Sequence, residues 1–275
     1  MKNILFLLLF SSSSFFLFAQ AEHRISVGNK TIEFREIDRL VIIGHDEKDV
    51  KITREGGDAR EDDRAKGMRK VSASGKSDNT GFGLSSQGFD DKVVIDQVGK
   101  GNGTIMVFVP NSSVVKVVQS TYRGGDLEVK NFKGELDVSM HYHMVKLSNT
   151  YGPLAINTIY GGIEAAFSSG PPTKDLRLHS TYGNVDLTLP RNTAANLRLN
   201  TSYGSMYTDF DIDMKANMKE TFKPDDHDHD HDHDHCHDDC KHGSSGGGLT
   251  GTINGGGKLV SLNATYKNIY LRELE

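Results

Sequence analysis

The chain has 275 residues, 36% hydrophobic and 25% charged, with a formal net charge of −5. That balance excludes a broadly basic nucleic-acid footprint. Two Cys and no Trp exclude a disulfide-dense scaffold, so a stable fold must rest on buried apolar area and backbone pairing.

The first residues read as a secretory leader. Lys2 supplies a positive start, Ile4 to Phe18 is apolar apart from Ser11 to Ser14, and Ala19-Gln20-Ala21 offers a small-x-small cleavage site before Glu22, His23 and Arg24. A signal peptide over residues 1–21 is expected, with the mature chain exported to the periplasm, outer surface or medium. A membrane anchor would need about 20 apolar residues, and the four serines interrupt the run. No Cys lies near the cleavage site to carry a lipid, and no second stretch approaches spanning length. The mature chain is therefore expected to lack a transmembrane segment.

After the leader, Arg39 to Gly44 and Asp49 to Thr53 read as paired strands joined by the turn His45-Asp46-Glu47-Lys48. Lys92 to Val98 and Thr104 to Val109 read as two more, linked through Gly99-Lys100-Gly101-Asn102-Gly103. Between these pairs, residues 55–86 are charged and rich in Gly and Ser, which predicts an exposed, partly disordered excursion.

From Val114 onward the apolar residues alternate with polar ones in short runs. Examples are Leu136-Asp137-Val138-Ser139-Met140, Leu176-Arg177-Leu178 and Val185-Asp186-Leu187-Thr188-Leu189. Period two puts one set of side chains on each face of a strand, and no long helical period is visible, so the chain reads as all-β. A phrase ending in Tyr-Gly or its variants recurs at Tyr122, Tyr151, Tyr160, Tyr182, Tyr203 and Tyr266, with Tyr142 spaced to match. Intervals near 9 and near 20 to 22 residues predict the turns of a stacked β-solenoid, a right-handed parallel β-helix or β-roll, over a single domain at 22–275. Equivalent tyrosines would then form a ladder along one edge. The following Gly would supply a positive φ at the corner.

These features together resemble a bacterial family of secreted, largely uncharacterised proteins known as putative adhesins, and leaders ending in Ala-Gln, as here, are frequent in Bacteroidetes-type bacteria. The resemblance rests on LVIIGHDEKDVKI, IMVFVP, the rungs KNFKGELDVSMHYHMVKLSNTYGPLAINTIYGGIEA, the phrase SYGSMYTDFDI and the closing GTINGGGKLVSLNATYKNIYLRE, covering about Arg39 to Glu275. It implies a β-helix or β-roll fold and export. It carries no catalytic residues.

One insertion, at about 223–248, departs from that pattern. Asp225 to His242 contains seven of the twelve His and both Cys, with eight Asp and one Lys, so the acidic balance of the chain belongs to this tract. Such a sequence cannot pack a core and reads as a disordered, solvated loop. His227, His229, His231, His233, His235, His237 and His242, with Cys236 and Cys240, are candidate ligands for Zn, Ni or Cu ions: imidazole suits all three, and thiolate suits Zn²⁺ or Cu(I). Alternatively, the two Cys close a small disulfide in an oxidising compartment, leaving His and Asp as ligands.

Outward strand positions such as Asp137, Lys146, Asn157, Glu164, Arg177, Asp186 and Arg198 show no clustered acid pair. No G-x-S-x-G motif occurs, and Gly81-Phe82-Gly83 and Gly101-Asn102-Gly103 lack the following helix that phosphate binding needs. His141 and His143 flank Tyr142 and are expected to share one side of a strand, in a surface role. His179 reads as an ordinary outward strand residue. The expected function is non-enzymatic: a binding or adhesion surface at the cell envelope for an unidentified envelope or extracellular partner, carrying a metal-binding loop. The alternative is a periplasmic or surface protein that buffers or senses Zn, Ni or Cu through the loop itself.

Overall fold

Alternation of apolar and polar residues decides the secondary structure almost everywhere. The computed structural model describes residues 21–57, 63–99, 103–214 and 247–274. In chain order the strands are β1 (His23–Ser26), β2 (Thr31–Arg35), β3 (Leu40–His45), β4 (Asp49–Glu55), β5 (Leu84–Gly88), β6 (Lys92–Gln97) and β7 (Thr104–Pro110). Then come β8 (Val114–Gln119), β9 (Leu127–Lys130), β10 (Glu135–Met140), β11 (Val145–Ser148), β12 (Leu154–Thr158), β13 (Ile163–Ala166) and β14 (Leu176–Ser180). The rest are β15 (Val185–Pro190), β16 (Ala195–Thr201), β17 (Met206–Thr208), β18 (Asp213–Met214), β19 (Gly247–Ile253), β20 (Lys258–Ala264) and β21 (Ile269–Leu274). Among the described residues the only helical element is a single 3₁₀ turn, Asp63–Ala65. The protein is all-β.

The strands form two large sheets. One has ten strands in the order β1-β4-β7-β3-β9-β11-β13-β15-β21-β17. The other has eleven, β18-β19-β16-β20-β14-β12-β10-β8-β2-β6-β5. From β8 to β15 successive strands alternate between the sheets, and strands two apart in sequence pair in parallel and in register, as in Leu136↔Leu154↔Leu176 and Val145↔Ile163↔Val185. Register is fixed because a one-residue slip would turn every inward side chain out to water. Inward residues from both sheets, among them Val138, Ile156, Leu178 and Leu262 facing Leu147, Ala165, Leu187 and Leu271, merge into one apolar core. Burying each such aliphatic side chain contributes about 1.5–3 kcal/mol.

Four expectations need correcting. First, the stack is not wholly parallel: β1-β4-β7 and β5-β6 are antiparallel at one end, β16-β19-β18 at the other. Antiparallel strands cover edges that a parallel ladder would leave open. Secondly, Arg39–Gly44 and Asp49–Thr53 do not pair with each other, because β7 lies between β3 and β4; β6 and β7 lie in different sheets. Thirdly, the excursion at 55–86 is not all exposed. It contributes strand β5, buries Phe82 and Leu84, and its Lys76 forms an ion pair with Asp96 on β6 at 2.7 Å. Lastly, chain order is broken at the far end. β20 inserts between β14 and β16, and β21 between β15 and β17, so the strands after the insertion fill a gap left by those before it.

Candidate functional site

The connections from the eleven-stranded to the ten-stranded sheet set the geometry of the outer surface. Residues 141–144, 159–162, 181–184, 202–205 and 265–268 are four-residue corners with Tyr at the second position each time. The rings of Tyr142, Tyr160, Tyr182, Tyr266 and Tyr203 stack face to face in that spatial order, at 5.3, 5.2, 4.7 and 4.8 Å between centroids and within 18° of parallel. The expected ladder exists, although Tyr203 and Tyr266 exchange places relative to the sequence. Two copies of the phrase lie elsewhere. Tyr122 occupies the longer corner 120–126, and Tyr151 sits in the opposite corner, edge-on to Phe167 at 6.0 Å.

Below the ladder the corners are locked by buried hydroxyls. Ser180 Oγ donates to the Gly161 carbonyl (2.8 Å) and accepts from the Gly183 N–H (2.9 Å); Thr158 Oγ1 donates to the same carbonyl (2.7 Å). Thr201 Oγ1 accepts from the Gly204 N–H (2.9 Å) and donates to the Lys267 carbonyl (3.2 Å). The expected positive φ at these glycines is not found. Gly161, Gly183 and Gly204 are required because a Cβ would strike the backbone of the neighbouring corner: the carbonyls of His143, Gly161 and Lys267 respectively.

Alignment on the ladder then orders the outward residues of the eleven-stranded sheet. Three residues before each ladder Tyr stand Ser139, Asn157, His179, Asn263 and Asn200; five before stand Asp137, Ala155, Arg177, Ser261 and Arg198. These form two parallel rows crossing β10, β12, β14, β20 and β16. A depression of about 410 Å³ is lined by Asp137, Asn157, Arg177, His179, Ser261 and Asn263. A second, of about 300 Å³, continues it over Arg198, Asn200 and Thr250 and shares Ser261 and Asn263. Together they make one shallow trough.

The trough differs electrostatically from the other sheet. Among the described residues, the side chains of Arg177 and Arg198 have neither an ion pair nor a hydrogen bond, while Asp137 lies 3.9 Å from Lys116. Burial pushes the His179 imidazole below its usual range, so the ring is neutral at pH 7 and presents one donor and one acceptor. On the ten-stranded sheet the cations are engaged. Lys146 pairs with Asp126 (2.8 Å), Lys130 with Glu128 (2.7 Å), and Arg272 forks onto Asp186 (2.9–3.1 Å) while lying over the Tyr270 ring.

The nine candidate metal ligands, His227, His229, His231, His233, His235, Cys236, His237, Cys240 and His242, lie outside the described residues, as does most of the leader. Among the described residues no group of three or more His, Cys, Asp or Glu is placed to hold a metal ion, and no helix is long and apolar enough to cross a membrane. His141 and His143 do not share a strand face. They belong to a corner, where His143 Nε2 approaches the Tyr122 and Arg123 carbonyls at 3.1 and 3.2 Å. Alternation alone marks Asn157, Arg177 and Arg198 as scattered polar positions and does not single out Ser261, Asn263 or Asn200. Counting back from each Tyr was the signal that would have aligned them.

No family model matches the chain, and no curated protein matches it. A solved structure described as a "putative cell adhesion protein" from Clostridium sporogenes is similar at 11% identity and a TM-score of 0.46, over 93% of this chain and 100% of that one. A likeness at that level fixes neither fold nor activity.

Proposed function

We propose that the chain is an exported, non-enzymatic binding protein that presents a sheet face as an adhesion surface at the cell envelope. The architecture proposed for it is a right-handed solenoid of short strands with antiparallel caps. The hand follows from the strong preference of parallel crossovers for one sense. The observation that carries the functional reading is the open trough, where Arg177 and Arg198 stand unengaged beside a row of amides on in-register strands. The strands that carry these groups are already fixed in register, so binding has to order the side chains but not the backbone.

The absence of enzymatic activity is part of the proposal. Among the described residues each carboxylate whose pKa is displaced is displaced downward, held by hydrogen bonds and cations. A general acid at neutral pH needs the opposite displacement. Adhesion is tested with labelled protein on intact bacterial cells and on extracellular-matrix coatings, beside a variant lacking Asp225 to His242. Retained binding in the deletion is the expected result. Loss of binding in both proteins would overturn the reading, and loss in the deletion alone would transfer the role to the tract.

A second reading rests on the tract itself. Its seven imidazoles alternating with carboxylates form a ligand set for Zn, Ni or Cu, and its chain leaves and returns at β18 and β19 on the edge of the eleven-stranded sheet. Metal buffering would then be the main activity. Titration calorimetry with Zn²⁺ should show micromolar or tighter binding by the intact protein and none by the deletion, weakening below about pH 6 as His protonates. No heat from the intact protein would remove this reading.

A further inference from the structure

We propose that the trough over β12, β14, β20 and β16 binds an extended anionic polysaccharide laid across the strands, with Arg177 and Arg198 pairing its carboxylates. This rests on the reading of the chain as a surface-binding protein and names the chemistry of its partner.

Charge complementarity is the first ground. On the ten-stranded face Lys130, Lys146 and Arg272 are each neutralised by a carboxylate and Lys51 lies over the Phe108 ring, whereas the guanidinium groups of Arg177 and Arg198 have no such partner among the described residues. The guanidinium fork matches a carboxylate in shape and is weakly hydrated, so an unpaired, sheet-mounted Arg is suited to that group.

Spacing is the second. The tyrosine ladder measures the rise from one strand to the next as 4.7–5.3 Å. Arg177 and Arg198 stand on β14 and β16, with β20 between them, and both are in register with Ser261. They are therefore two strand spacings apart, about 9.5 Å. An extended 1,4-linked uronate chain advances by close to one strand spacing per sugar. In a two-fold ribbon every second carboxylate falls on the same side, which meets the two arginines in phase.

The third ground is the neighbouring row. His179, Asn263 and Asn200 follow one another on the same three strands, two residues further along each. Amides and a neutral imidazole both donate and accept, as sugar hydroxyls do. This row argues for a glycan over other polyanions. Single-stranded nucleic acid would need free aromatic faces, but the inner rings of the ladder are covered by one another on both sides.

The test is calorimetry and affinity electrophoresis of the full chain with polygalacturonate. The probes beside it are methyl-esterified polygalacturonate, duplex DNA and phosphatidylglycerol vesicles. The expected result is salt-sensitive binding of polygalacturonate alone. It should fall at least tenfold in Arg177→Ala/Arg198→Ala, fall likewise in Asn200→Asp, which adds a repelling charge, and stay unchanged in Lys130→Ala on the other face. Each side chain is solvent-facing, and unchanged circular dichroism and melting will show that the variants fold; Arg177→Gln/Arg198→Gln is the fallback pair. Undiminished binding in the arginine variants, equal retention of the esterified polymer, or equal affinity for DNA or vesicles would overturn the proposal. Adhesion without polygalacturonate binding would sink this inference and leave the broader reading standing. Loss of both would sink the two together.

Discussion

The two kinds of corner in this molecule are built on different principles. Corners leading out of the eleven-stranded sheet carry the tyrosine ladder and are four residues long in five successive rungs. Those leading back, at 131–134, 149–153, 167–175 and 191–194, range from four to nine residues. The first kind is held by stacked rings, paired hydroxyls and glycines pressed against the next backbone. The second uses Asn at positive φ (Asn131 and Asn149), plugs the core with Phe132 and Phe167, and leaves the buried hydroxyls of Thr150 and Thr193 without a hydrogen-bond partner. Gly134 and Gly152 in the second kind are pressed likewise against the carbonyls of Ser113 and Gly134, but no continuous stack of rings ties its successive copies together, and its length varies.

The largest contrast should come from glycine. Gly183→Val forces a side chain into the Gly161–Gly162 backbone and is expected to cost about 3 kcal/mol or more. Insertion of Gly-Ser between Gly170 and Pro171, in the nine-residue corner, should cost below about 0.5 kcal/mol. Urea unfolding of both variants checks this. Similar losses would mean that the corners are equally constrained.

Removing rings should sharpen the picture. Tyr182 stacks on two neighbours and Tyr203 on one. Tyr182→Ala is expected to lose about 1–3 kcal/mol and Tyr203→Ala about half that. Equal losses would show that the stack contributes little beyond the burial of each ring.

Hydroxyls give a smaller contrast of opposite sign. Ser180→Ala orphans the Gly183 N–H and should destabilise by about 1–2 kcal/mol, whereas Thr150→Val removes a hydroxyl that has no partner and should be neutral or stabilising.

The smallest effect concerns acid. Glu36 lies partly buried, which alone would raise its pKa, but N–H and hydroxyl donors from Ser120 and Thr121 outweigh burial and lower it below the ordinary 4.5. A carboxylate with a lowered folded-state pKa adds stability above its unfolded pKa, and that contribution disappears as pH falls from 4.5 through the folded value. Asp126, lowered against burial by Lys146 and the Met144 N–H, acts in the same direction. Urea midpoints at pH 5.5 and pH 3 should therefore differ less in Glu36→Gln than in the unaltered chain.

Much of the fold is legible in the sequence because it repeats. Period-two alternation marks the strands, and the Tyr phrase marks the corners whose neighbours demand a fixed geometry. Tyr151 misleads because an identical-looking Asn-Thr-Tyr-Gly serves a different corner, where Asn149 Oδ1 gathers the N–H groups of Ser168 and Ser169. The pairing of β3 with β7 and β9 rather than β4 was hidden, since adjacency in sequence says nothing of a strand arriving sixty residues later. The trough is half legible: outward positions follow from alternation, but which of them meet depends on β20 entering between β14 and β16. The His-Asp tract is plain from composition alone and lies outside the described residues.

That late entry has a consequence for how the chain is made. While residues before about 257 emerge from the ribosome, β14 and β16 have no native partner between them, and the space belongs to a strand still to be synthesised. The nascent chain must either keep the two apart or let them zip together wrongly and be prised open afterwards. A stalled or truncated product would therefore fail at the same end of both sheets, and its failure would begin next to the arginines of the trough.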